Sequence, residues 1–220
     1  MAATTATTAT ITPASSEHRD TAGRTDDELV ARVREGDHEA FAALVDRHKR
    51  QVYGLAYRML GDRSDAEDAA QEAFVRAYTR LATYQPDGRF GAWLLAIASH
   101  RCIDVLRSRG RRAPTITLGR VAESDRFISQ TDEPEESAVR GAVCDDVRRW
   151  LAALPPAYRL VLTLRYFHEQ SYNEIAATLG EPVSTVRMRL FRARGMILAM
   201  ATRESEPQLR RHHQLRRRVA

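Results

Sequence analysis

Ser171-Tyr-Asn-Glu-Ile-Ala-Ala-Thr-Leu-Gly-Glu-Pro-Val-Ser-Thr-Val-Arg-Met-Arg-Leu-Phe-Arg-Ala-Arg194 is the stretch that decides how this chain is read. Its spacing predicts two short helices joined by a tight turn. Ser171 and Glu174 stand at the spacing of a capping box, which opens the first helix. Ile175, Ala176 and Leu179 form its inner face. Gly180 can take positive φ where that helix ends, and Pro182 favours a fresh start over continuation. In the second helix Val186, Leu190, Ala193 and Ile197 recur at spacings of three and four and should face the core. Ser184, Arg187, Met188 and Phe191 then turn outward along another face, with Arg189, Arg192 and Arg194 on its flanks. A helix-turn-helix presents its second helix to the DNA major groove in this way. Flanking cations contact phosphates and the outward face reads bases. The alternative reading is an ordinary helical hairpin with a solvated arginine face.

The same alternation of helical stripes and turn residues runs through the rest of the 220 residues. Thr25 and Glu28 form another capping-box pair, opening a short helix to Arg34 that stops at Gly36. The next helix runs from near Asp37 to Leu60, with Phe41, Leu44, Val45, Val52, Leu55, Ala56, Met59 and Leu60 in one stripe. Ser64 and Glu67 are read as the cap of a third helix that turns Ala66, Ala70, Ala73, Phe74 and Ala77 inward. Thr83–Arg89 is dense in turn residues. Phe90, Trp93, Leu94, Ile97, Ala98 and Val105 mark a fourth helix to about Ser108. A second module begins near Cys144: Val147, Trp150, Leu151 and Leu154 form one helix, stopped by Pro155-Pro156, and Tyr158–Phe167 the next. No stretch shows strand alternation. The expected fold is all-α, with two small helical domains joined by a flexible acidic linker and the helix-turn-helix closing the second. Expected boundaries are 1–24 for a disordered extension, 25–112, a linker at 113–143, 144–203, and a basic tail at 204–220.

Composition narrows the function classes. Hydrophobic residues make up 43% of the chain, enough for real cores, and the net charge is +5. Lys49 is the only lysine; arginine suits bidentate phosphate and guanine contacts. Residues 207–220 carry five arginines and no acid, which equals the whole net charge. Residues 114–144 hold six acids against three arginines. A neutral body with an acidic middle and a basic tail suggests separate surfaces for separate partners. Cys102 and Cys144 have no CxxC or Cys/His cluster nearby and read as reduced, inert thiols of a cytoplasmic protein. No apolar run approaches the ~20 residues of a membrane span, and the N-terminus lacks a signal-peptide core. There is no nucleophile–base set, metal-ligand spacing or phosphate-binding glycine loop. The chain therefore reads as neither an enzyme nor a metal or cofactor protein.

Four motifs stand in order along the chain: Asp65-Ala-Glu-Asp-Ala-Ala-Gln-Glu-Ala-Phe74; Phe90-Gly-Ala-Trp-Leu-Leu-Ala-Ile-Ala98, followed by Asp104 and Arg107; Leu154-Pro-Pro before Leu164-Arg-Tyr166; and the helix-turn-helix itself. Together they resemble the extracytoplasmic-function group of bacterial RNA polymerase sigma factors, over roughly residues 26–112 and 145–203. The resemblance implies a job for each surface. Asp65, Asp68 and Glu72 share one helix face with Gln71 beside them, and the matching helix of the family docks on the basic clamp coiled coil of core RNA polymerase. The loop from Tyr84 and the helix from Phe90 match the part that opens the promoter and reads its −10 element. This makes Tyr84, Gln85, Asp87, Arg89 and His100 candidate DNA contacts, with Arg101, Arg107, Arg109, Arg111 and Arg112 as backbone contacts. Phe90 and Trp93 are read as core.

The resemblance further implies that the helix-turn-helix reads the −35 element through Val183, Ser184, Thr185, Arg187, Met188, Arg189, Phe191, Arg192 and Arg194. It implies core polymerase (its clamp and β-flap), promoter DNA and an anti-sigma factor as partners. The chain departs from the family pattern at His100, where many relatives have asparagine, at Ser184 in place of a common glycine, and at Met188 in place of serine. The competing readings are a free-standing helix-turn-helix regulator and a helical enzyme or small-molecule-binding protein.

Overall fold

The structure, a computed structural model, describes residues 23–87, 89–112 and 146–218, with only the backbone course given for 111–112 and 205–218. The expected disordered extension (but for its last two residues), the linker, Cys144, and the side chains of Arg111, Arg112 and the His212-His213 pair lie outside the described residues. Among those described there is no strand. The helices are α1 (Asp26–Arg34), α2 (His38–Leu60), α3 (Arg63–Thr79), a 3-10 turn (Leu81–Thr83), α4 (Phe90–Arg112), α5 (146–153), α6 (Pro156–Tyr166), α7 (Tyr172–Leu179) and α8 (Val183–Arg218).

Local chemistry sets most of these limits. Both capping boxes close: Thr25 N–H donates to Glu28 Oε2 at 2.8 Å, and Ser171 N–H donates to Glu174 Oε2 at 2.7 Å. Asp37 caps α2 by accepting from the Glu39 and Ala40 amides. Gly61 ends it in the left-handed region at φ 71°, and Gly180 ends α7 at φ 65°, where a side chain would be strained. One cap differs from the sequence reading. Asp62, not Ser64, caps α3, accepting from the Asp65 amide at 3.0 Å. Ser64 lies inside the first turn, and Glu67 pairs with Arg63 at 3.0 Å instead. A carboxylate placed before the helix also meets the positive end of its dipole. The helix of α8 continues to Arg218, through the segment read as a tail.

In the first module α2, α3 and α4 pack mutually and α1 leans on α2. Leu44, Val52, Leu55, Met59, Phe90, Leu94 and Leu95 are fully buried in it. The inner face of α3 is almost all alanine (Ala66, Ala69, Ala70, Ala73, Ala77), which lets its axis lie close to its neighbours. In the second module α6, α7 and α8 bury Val161, Leu164, Ile175, Val186, Leu190 and Ala193.

The two modules are not independent beads. α6 packs on α2, and α7 packs on α4. The buried guanidinium of Arg159 donates through Nη1 to the Met59 carbonyl at the end of α2, and through Nη2 to the Ala152 and Leu154 carbonyls. Arg58 lies over the Phe167 ring, 4.1 Å from its centroid. The cap assignment is directly testable: Asp62→Ala should lower stability by about 1 kcal/mol in urea unfolding, whereas Ser64→Ala should leave the midpoint unchanged.

Candidate nucleic-acid interface

The helix-turn-helix is assembled as its spacing predicts. Val186, Leu190 and Ala193 are fully buried and Ile197 is half-buried against the core. That fixes the rotation of α8 and leaves Ser184, Arg187, Met188, Phe191, Arg192 and Arg194 exposed. Phe191 is 78% exposed. Three of the predicted contacts are placed differently. Val183 packs against the core and Thr185 is half-buried. Arg189 is tied to Glu181 at 2.7 Å, since both leave the turn on the same side. The outward face is thus narrower than the sequence reading, and it carries polar, cationic and apolar groups in turn.

Tyr84, predicted to contact bases, is instead part of the core. It is 4% exposed, packed edge-on to Phe90 and tilted against Trp93. Its hydroxyl donates to Asp27 Oδ1 at 2.7 Å, and burial first, then Asp27, pushes its pKa up to about 12. In this structure its ring faces Phe90 and Trp93 rather than solvent, which is not the exposed position that the sequence reading expects of a base contact. Its role is to root the loop. Arg34, at the end of α1, donates to the Leu81 carbonyl at 2.9 Å and to that of Tyr84. The loop beyond is solvent-facing: Gln85, Asp87 and Arg89 are exposed, and Arg89 N–H donates to Asp87 Oδ1 at 3.1 Å. On α4, His100 and Arg107 are exposed and Arg101 is half-buried. His100 Nδ1 lies 2.7 Å from the Ala96 carbonyl one turn back. Arg109 is not free for a backbone contact, because it pairs with Asp65 and donates to the Leu60 carbonyl at 3.1 Å.

The acidic face of α3 is only partly open. Asp68 and Gln71 are exposed. Asp65 is held by Arg109, and Glu72 by Arg76 at 2.8 Å. That hydrogen bond is the main cause that lowers the Glu72 pKa. Continuing the same face one and two turns on, Val75 and Tyr78 are exposed apolar residues. With His38, Phe41 and Phe74 they line an open apolar cavity of about 320 Å³. The sequence reading missed these, although extending the Asp68–Gln71 spacing along the helix reaches both.

Cys102 is fully buried, and burial pushes its thiol up to about 12. Among the described residues no group of three His, Cys, Asp or Glu could hold a metal ion. None of the described helices is long and apolar enough to cross a membrane.

Known proteins share this arrangement. The family model for sigma-70 region 2 matches residues 44–112, and that for sigma-70 region 4 matches residues 144–197. The RNA polymerase sigma-H factor of Pseudomonas aeruginosa is 38% identical over 176 residues, covering 78% of this chain and 91% of that protein. The chain belongs to the sigma-70 family, in its extracytoplasmic-function group. The extracytoplasmic-function sigma factor SigW of Bacillus subtilis is 36% identical over 172 residues, covering 75% of this chain and 90% of its own. Among solved structures, CnrH in complex with the cytosolic domain of CnrY is 28% identical with a TM-score of 0.59, covering 80% of this chain and 97% of that one. The sigma factor RpoE of Bartonella quintana, solved with the anti-sigma factor NepR, has a TM-score of 0.60 at 20% identity, covers 74% of this chain and 96% of its own, and shares the fold.

In this sigma factor the seam between the modules carries a titratable group, His168. Burial first, then the Arg58 charge, lower its pKa to about 4, and its Nε2 is buried without a hydrogen-bond partner. The unfolded chain binds this proton near pH 6.5 and the folded one does not. Stability contributed by neutral His168 is therefore present above about pH 6.5 and falls as pH drops toward about 4. His168→Gln should flatten that decline by an amount on the order of 3 kcal/mol, read as the difference between variant and wild-type urea midpoints at pH 7.5 and pH 4.5.

Proposed function

We propose that this chain, as a sigma factor directing RNA polymerase to promoters, does so through three separate surfaces. The exposed part of the α3 face, Asp68 and Gln71 with Glu72 behind its arginine and Val75–Tyr78 beyond, docks on the clamp coiled coil of core polymerase. Complementary charge orients that encounter. The loop Gln85–Arg89, with His100, Arg101 and Arg107 on α4, engages the −10 element and holds its opened strand. With Tyr84 in the core, capture of that strand falls to polar and cationic groups. The outward face of α8 reads the −35 element as duplex, with Arg187 aimed at base edges. Arg187 lies in the first turns of a recognition helix, where side chains reach the groove floor.

The observation that carries this reading is the exposed Ser184–Arg187–Met188–Phe191 face on a helix whose opposite side is fully buried. The core-bound α4 places a second exposed polar surface in the other module, and the docking helix α3 presents acid where α8 presents arginine. By the same reading the protein acts in the cytoplasm, supplies no catalytic group of its own, engages the polymerase β-flap with its second module, and is held by an anti-sigma factor. The Bartonella relative of the same fold was solved with such a partner.

Run-off transcription on a library of promoter fragments tests the whole reading. Core polymerase should initiate at a new subset of start sites only when the protein is present. Duplex binding with no effect on core polymerase would make it a free-standing regulator. Two substitutions resolve the surfaces. Arg187→Ala should cost on the order of 1–3 kcal/mol of promoter affinity and relax selectivity at one −35 position; unchanged selectivity removes it from the reading face. Reversing Asp68 and Glu72 together to lysine should weaken polymerase binding in a pull-down, with the thermal midpoint retained; normal binding moves the dock elsewhere.

A further inference from the structure

Both ends of the loop before α4 rest on α1. At the incoming end, Arg34 donates to the carbonyls of Leu81 and Tyr84. At the outgoing end, His48 Nε2 lies 2.9 Å from Asp26 Oδ2, and the His48 ring packs 5.4 Å from that of Phe90. The fit there is close: a Cβ on Gly91 would come within 3.2 Å of His48 Cε1. A helix of 9 residues thus fixes where the loop starts and where it stops.

A further link reaches the middle of the loop. The Tyr84 hydroxyl donates to Asp27 Oδ1 at 2.7 Å and accepts from the Asp87 backbone N–H. Asp87 Oδ1 in turn accepts from the Arg89 N–H at 3.1 Å. A chain of hydrogen bonds therefore runs from the α1 carboxylate, through one phenol, into a segment whose side chains Gln85, Asp87 and Arg89 are exposed. Each bond orients the next. The single proton of the phenol is committed to Asp27, which leaves the oxygen lone pairs to face the Asp87 amide.

The phenol is not needed to fill space. Phe90 and Trp93 pack against the ring, and a phenylalanine would bury the same apolar area with no polar group to satisfy. What the hydroxyl adds is a fixed loop. An unbraced loop would have to be ordered when the opened strand arrives, and that ordering subtracts from affinity. A strand taken out of the stack has no fixed shape of its own, so the groups that hold it gain most from being set beforehand.

We propose that Asp27 and Tyr84 are positioning residues for promoter opening: through the Tyr84 hydroxyl they hold Asp87 and Arg89 in the shape that takes the −10 strand. This rests on the reading of the loop as the −10 contact and adds α1, which that reading does not use. Asp27 acts through Tyr84 and the loop, not by touching DNA.

The test uses the full chain bound to core polymerase, on a promoter recovered by run-off transcription and carrying 2-aminopurine in its −10 element. Opening is read as the rise in 2-aminopurine fluorescence. Strand capture is read by anisotropy on a single-stranded −10 oligonucleotide, and duplex binding on a fragment that ends upstream of −10. Tyr84→Phe keeps the ring and removes only the hydroxyl. It should slow opening and weaken the oligonucleotide by about three- to tenfold, with duplex binding within about twofold of wild type. Asp27→Ala should shift the same two readouts. Asp27→Asn, whose amide oxygen still accepts from the phenol, should restore both. Asp27→Ala added to Tyr84→Phe should cost nothing more, because both break one chain. The proposal is overturned if Tyr84→Phe opens the promoter as wild type or if Asp27→Asn is as defective as Asp27→Ala. It is equally overturned if duplex binding falls in step with opening, the mark of a module that is merely destabilised. A wild-type complex that ignores the −10 oligonucleotide sinks the −10 reading and this proposal with it. Variants that match a wild type competent in opening sink the proposal alone.

Discussion

The arrangement of the two modules depends on one buried guanidinium. An α-helix ends with carbonyls that have no partner within the helix and that carry the negative end of its dipole. At the end of α2, Arg159 reaches across from α6 to the Met59 carbonyl, and Arg109 reaches from α4 to that of Leu60. Burying a cation is costly unless its hydrogen bonds are made, and burial is the first cause lowering the Arg159 pKa. The carbonyls of Met59, Ala152 and Leu154 offset part of that cost through Nη1 and Nη2, while Nε is buried without a partner. Because the acceptors belong to both modules, the bond sets where α6 lies on α2, and with it where α7 lies on α4.

The charges divide labour across the surface. Most acids near the first module are spent within it: Asp26 holds Arg47 and His48 at 2.6 and 2.9 Å, Asp37 holds Arg32 at 2.6 Å, and Asp65 holds Arg109. What remains exposed is less than the sequence displays, and correspondingly more directed. Asp68 on α3 and the arginines of α8 lie on different modules. One chain therefore carries an acidic face and a basic face on separate modules. The same economy governs the loop before α4. Its root is pinned by Arg34 and Asp27 from α1, the helix whose job the sequence least suggests.

Periodicity and caps were readable because they are local. The capping boxes at Thr25 and Ser171, the left-handed glycines at Gly61 and Gly180, and the buried stripe Val186–Leu190–Ala193 each depend on residues within about four positions of one another. The cap of α3 shows where that logic loosens. Asp62 and Ser64 both carry good capping side chains, and the choice between them depends on where Gly61 ends the preceding helix. The alternation of stripes and turns likewise settled the all-helical class and the two modules.

The fate of individual polar and aromatic groups was settled elsewhere. Tyr84 stands in a turn-rich stretch, and nothing nearby in sequence says that Asp27, Phe90 and Trp93 enclose it. Arg189 differs from Arg192 only in having Glu181 within reach. The sequence by itself determined the helices, their inward faces and the outward face of α8, because backbone hydrogen bonding and hydrophobic burial repeat over a few residues. Tertiary structure alone decided which tyrosines are core, which arginines are already paired, and how the modules lie on each other, because those depend on partners tens of residues away.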